Sequence, residues 1–98
     1  MNIQDIIWLE AVEDKIIQKH HVRPEEVEET LMAKPHARFM ERGHQPGEDL
    51  YAAFGQTNDG RFLAVYFILK NSRTALIVTA RDMTRKEIRS YGRKKSRK

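Results

Sequence analysis

Arg81, Arg85 and Arg89 recur at four-residue intervals just after a run of strand-forming residues. Three guanidinium groups delivered toward one edge by a rigid sheet and a following helix would hold a polyanion, and RNA is the first to consider. The side chains suited to proton transfer are His20, Glu48 and Tyr51. An imidazole titrates near neutrality, at roughly 6.5, so His20 is the natural acid or base by type. It also ends a helical segment, where a cation is welcome, and that structural use is the commoner one. A phenol ordinarily titrates at about 10, so Tyr51 would work as a base only beside cations. Arg81 has two readings of equal standing: an anion stabiliser placed by a strand end, or a salt bridge to Asp82, Glu48 or Glu87.

Other chemistries find little support. The 98 residues include no cysteine, which removes thiol nucleophiles, zinc fingers and disulfides. His20 and His21 are adjacent and would diverge on a helix, while His36 and His44 lie in separate contexts. No ligand spacing for a metal and no glycine-rich phosphate loop is present, so neither a metal nor a cofactor is expected. The longest apolar stretch, Phe62 to Leu69, is less than half a membrane span. With no secretory signal evident, a soluble cytoplasmic protein with no membrane partner is expected. The net charge of +4 is segregated: residues 81–98 carry nine Lys/Arg against Asp82 and Glu87, leaving residues 1–80 net acidic. Such a basic end is either an electrostatic footprint for phosphates or an acidic partner, or a solvated tail.

The elements that must position these residues follow from periodicity. Ile3 to Leu9 reads as a short strand or an irregular lead-in anchored by Trp8. Leu9, Val12, Ile16 and Ile17 recur at helical spacing, predicting an amphipathic helix that ends at His20. Pro24 suits the first position of a second helix, with Glu25 and Glu26 complementing its dipole and Lys34-Pro35 ending it. Extended segments are predicted at Ala37–Glu41, Leu50–Thr57, Arg61–Lys70 and Ala75–Ala80, with Asn58-Asp59-Gly60 as a tight turn. Thr84 and Glu87 form a capping box, Met83 and Ile88 a hydrophobic staple, and Gly92 a helix stop. The resulting expectation is an α+β fold: two N-terminal helices packed on a four-stranded, mainly antiparallel sheet, with a short C-terminal helix over about 85–91. One domain over residues 1–92 and a basic, disordered tail over 93–98 complete it.

Trp8, Lys19-His20 with Val22, Glu25-Glu26-Val27, Glu48 with Tyr51, Gly55 with Thr57, Gly60-Arg61, Ala80-Arg81, Glu87 and Tyr91 stand in a telling order. In that order and spacing the chain resembles the BrnT family, ribonuclease toxins of bacterial type II toxin–antitoxin pairs. The resemblance runs from Trp8 to Tyr91. It implies a RelE-like fold, RNA as substrate, and a small ribbon-helix-helix antitoxin as partner. Metal-free RNA cleavage needs a base for the 2′-hydroxyl, a cation for the phosphorane and an acid for the leaving oxygen. On this likeness Arg81, His20, Glu48 and Tyr51 are the catalytic candidates, and Lys19, Arg61, Arg85, Arg89 and Tyr91 the RNA-binding ones. The chain departs from the family pattern at Leu9, Leu50 and Ile88, where an aspartate and two arginines are usual. The alternative is therefore a divergent, non-catalytic module that binds RNA or protein on the same fold.

Overall fold

The structure, a computed structural model, describes residues 2–96. Five strands and three helices follow in the order β1 (Asp5–Ile7), α1 (Glu10–His20), α2 (Pro24–Met32), β2 (His36–Glu41), β3 (Leu50–Gln56), β4 (Phe62–Lys70), β5 (Thr74–Asp82) and α3 (Arg85–Ser96). The sheet order is β1-β5-β4-β3-β2, which puts the predicted central strand in the middle. Its apolar run is buried at Leu63, Ala64, Val65 and Phe67, on both faces, as a central strand requires.

Two expectations need correction. The sheet has five strands because Asp5–Ile7 pairs in parallel with Thr74–Leu76 at the sheet edge. It lies within Ile3–Leu9, which the sequence leaves open between a short strand and an irregular lead-in, and the backbone pairing decides for the strand. The last helix does not stop at Gly92 but continues to Ser96, so residues 93–96 are helical and not a disordered tail. Gly92 is exposed, nothing crowds its Cα, and good helix formers follow it. Arg97 and Lys98, the rest of the expected tail, lie outside the described residues.

The main core lies between α1–α2 and one face of the sheet, built from Ile16, Val22, Val27, Leu31, Ala53, Leu63, Val65, Phe67 and Ile77. Trp8 and Val12 pack against it half-buried. Phe54 and Val78, apolar residues of β3 and β5, are only partly buried. The alternation of β3 turns Phe54 to the opposite face, below α3, where Phe62 and Tyr91 also meet. Val78 sits at a bulge in β5, where the pairing slips between Tyr66↔Thr79 and Phe67↔Ile77. The ammonium of Lys15 donates to the Val78 carbonyl at 3.2 Å, which ties α1 to the bulge. At the β3–β4 hairpin only Gly60 takes a positive φ, and at the β4–β5 hairpin Asn71 and Ser72 both do. Among the described residues no helix is long and apolar enough to cross a membrane.

Candidate functional site

Arg81 reaches its position through the bulge. Ile77 faces the main core, and strict alternation would turn Arg81 to that same side. The extra residue at Val78 shifts the phase, so Ala80 faces the core and Arg81 the α3 side. There four of its five N–H groups are used. Nη1 donates to Glu87 Oε1 at 2.7 Å and to the Asp82 carbonyl at 3.0 Å. Nη2 donates to Glu87 Oε2 and to the Tyr66 hydroxyl, both at 2.9 Å. The guanidinium carbon also lies 5.5 Å from the centre of the Tyr66 ring.

Glu87 is fixed from its other side by the predicted capping box. Its carboxylate accepts the Thr84 N–H at 2.9 Å, and its own N–H donates to the Thr84 hydroxyl at 3.1 Å. The hydrogen bonds from Arg81 hold its acidity well above that of an ordinary carboxyl, at a pKa of about 2 instead of 4.5. Glu87 in turn raises the pKa of Arg81. A depressed carboxylate contributes stability above its unfolded pKa and loses it as pH falls toward the folded value. Glu87→Gln is therefore expected to cost roughly 1–3 kcal/mol at neutral pH, after allowance for partial exposure. The difference from the parent chain should close between pH 4.5 and about 2, followed by urea unfolding across that range. A gap independent of pH would mean that the charge of Glu87 adds nothing.

The other predicted residues divide between the two ends and two faces of the sheet. His20 and Lys19 lie on the last turn of α1, at the same end as Arg81 but against the opposite face. There His21 takes a left-handed conformation and the Val22 N–H returns to the Ile16 carbonyl, closing α1. Arg61 joins this corner: Nε donates to Asp82 Oδ1 at 2.7 Å, and Nη1 donates to the His21 carbonyl at 2.8 Å and to Glu26 Oε1 at 3.0 Å. Nη2 donates to the His20 carbonyl at 3.2 Å. Glu48 pairs with Lys70 at 3.7 Å, and Tyr51 stacks on Phe67 with Phe39 edge-on. Both belong to the far end of β3. Tyr51 pairs with Phe67 and Arg81 with Ala64, three residues apart along β4, or about 10 Å, and on opposite faces. The structure thus gathers Arg81 and Tyr91 on one face, His20, Lys19 and Arg61 at the adjoining corner, and leaves Glu48 and Tyr51 elsewhere.

Arg85 and Arg89 are exposed on α3 and flank Ile88 in a shallow notch. Tyr91 meets His36 and Phe62 edge-on, with ring centres 5.9 and 6.0 Å away, and burial raises its pKa. Beside it a groove of about 330 Å³ opens between β2, β3 and α3, lined by His36, Arg38, Phe54, Lys86, Tyr91 and Lys94 among others. None of His36, Arg38, Tyr66, Lys86 or Lys94 was singled out by sequence reasoning as a site residue. The alternation His36-Ala37-Arg38 on a strand was the available signal for the first two. Among the described residues no group of His, Asp or Glu comes together that would hold a metal ion.

The chain matches the family model for the ribonuclease toxin BrnT of type II toxin–antitoxin systems over residues 8–87. The crystal structure of the Brucella abortus ribonuclease toxin BrnT shares the fold, with a TM-score of 0.59 at 23% identity over 84% of this chain and 99% of that one. Among curated proteins none matches.

Proposed function

This chain belongs to the BrnT family of type II toxin–antitoxin ribonuclease toxins, and from that premise we propose that it is a metal-independent endoribonuclease centred on Arg81. The observation that carries the proposal is the two-pronged grip of Arg81 on the Glu87 carboxylate. A carboxylate held by both arms of a guanidinium marks where two oxygens of a phosphodiester would sit. RNA would displace Glu87, and the two arms would then meet the charge that grows on the phosphorane.

In the reaction the RNA 2′-oxygen forms a bond to phosphorus while the bond to the 5′-oxygen breaks. The proton leaving the 2′-hydroxyl goes to a base, an acid protonates the 5′-oxygen, and a 2′,3′-cyclic phosphate remains. His20, at the corner adjoining Arg81, is assigned the base that takes the 2′-hydroxyl proton, water protonates the 5′-oxygen, and Lys19 would hold the flanking backbone with Arg85 and Arg89. Glu48 and Tyr51 receive no step, since they lie at the other end of the sheet. The RelE-like architecture expected from sequence fits this placement of an arginine beside a C-terminal helix. An RNA substrate also fits a cytoplasmic site of action, and the cationic α3 side offers a surface for a ribbon-helix-helix antitoxin. Charge complementarity there would speed association more than it deepens affinity.

The test is cleavage of single-stranded RNA by the purified full chain with and without EDTA. Equal rates and cyclic phosphate ends are expected. Cutting that depends on added magnesium would overturn the mechanism, and binding without any cutting would favour the non-catalytic alternative.

A further inference from the structure

The groove beside Tyr91 has a composition that the Arg81 centre leaves unexplained. Of its lining residues only Glu87 is acidic, and that carboxylate is already bonded to Arg81 and Thr84. Arg38, Lys86 and Lys94 form no ion pair among the described residues, so their charges face the groove or solvent uncompensated. Tyr91 is held edge-on between His36 and Phe62, a rigid aromatic wall with Phe54 alongside. Free cations beside ordered aromatic rings are the two halves of single-strand recognition: charge for the backbone, a ring for the base.

The groove is also continuous with the reactive centre. His36, Phe54, Ala64 and Arg81 form one row across β2, β3, β4 and β5 on the α3 face. Three strand spacings separate its ends, roughly 14 Å. Arg38, Ala52, Tyr66 and Thr79 form the next row. Ala52 and Ala64 keep the floor between the two ends low. A volume of about 330 Å³ lies at the small end of ligand pockets and suits one nucleotide.

We infer that this groove is a nucleotide subsite, taking the RNA residue next to the phosphate on Arg81, with its base against Phe54 and Tyr91 and its phosphate on Arg38 and Lys94. An acidic peptide from a partner protein would use the cations but not the aromatic wall, so RNA is the occupant the lining favours. The inference rests on reading the chain as a ribonuclease whose substrate meets Arg81.

The experiment uses the full chain and a short, labelled, single-stranded oligoribonucleotide bearing 2′-O-methyl groups, which cannot be cut. Arg38→Ala and Lys94→Ala are each expected to weaken binding about tenfold and to lower the salt slope by about 0.7 for each phosphate no longer neutralised. Tyr91→Leu should lose more affinity than Tyr91→Phe. On cuttable RNA the cation variants should raise KM rather than lower kcat. Variants that bind as tightly as the parent chain would overturn the subsite. So would an equal loss from the two Tyr91 variants, or cation substitutions that break only a complex with a partner protein. If the parent chain binds the probe through the groove yet never cuts RNA, the ribonuclease reading fails and the subsite stands. If it cuts RNA and the groove variants behave like the parent, the reverse holds.

Discussion

Replacing Arg81 with alanine is expected to slow RNA cleavage about a hundredfold, the size of removing one preorganised donor worth about 3 kcal/mol in the transition state. Its backbone is paired with Ala64 of β4, and its side chain keeps the Tyr66 hydroxyl as a partner when RNA takes the place of Glu87, so little reorganisation is needed when charge develops. Arg81→Lys should fail nearly as badly, because an ammonium cannot present two parallel donors. Arg81→Ala also breaks the tie between α3 and the sheet, so lost activity alone would be ambiguous. Glu87→Gln resolves this. It weakens the same tie but leaves the guanidinium in place, relieved of its internal competitor. That variant should keep cleaving, with a lower KM for RNA, in steady-state assays at a temperature where circular dichroism shows both variants folded. If Glu87→Gln falls as far as Arg81→Ala, the pair is a structural tether and the phosphorane role belongs elsewhere.

How far the sequence reveals this arrangement depends on how local each signal is. The capping box at Thr84 and Glu87 is written in four consecutive residues and forms as read. The central position of β4 follows from its unbroken apolar run. The face on which Arg81 lies was not legible, since it depends on a bulge at Val78 that a carbonyl bond from Lys15 supports. One slipped residue reverses every side chain beyond it. The same limit leaves β1 open in the sequence between a strand and an irregular lead-in, because its three residues are fixed as a strand by pairing with β5. Gly92 misled for a related reason: a glycine ends a helix only when the chain beyond it turns away, and here Arg-Lys-Lys-Ser continues the helix. Glu48 and Tyr51 looked useful by chemical type. Their distance from Arg81 is a matter of strand register, which no short motif encodes.

Arg61 was expected to bind RNA, and its surroundings assign it a different role with a large effect on stability. Its side chain closes the corner where α1, α2, the start of β4 and the end of β5 meet. It supplies donors to the His20 and His21 carbonyls, which end α1 and have no helical partner of their own beyond that point. It also neutralises Glu26, which is only 8% exposed, and pairs with Asp82, whose bond to Nε is the main reason its pKa is raised. Arg61→Ala would leave two helix-end carbonyls without that donor and a nearly buried carboxylate with only the longer ion pair to Arg23, at 3.8 Å. Such a loss costs about 3 kcal/mol. For a domain of this size that corresponds to a fall in Tm of roughly 12–24 °C. Arg61→Lys should recover only part of it, since a single ammonium cannot reach two carbonyls and two carboxylates together. Below its melting range the alanine variant should bind RNA almost as the parent does, because the N–H groups of Arg61 already face protein oxygens. Thermal unfolding and probe binding measured on the same preparation separate the two roles. A chain that kept its Tm and lost its salt-dependent affinity would return Arg61 to the RNA surface.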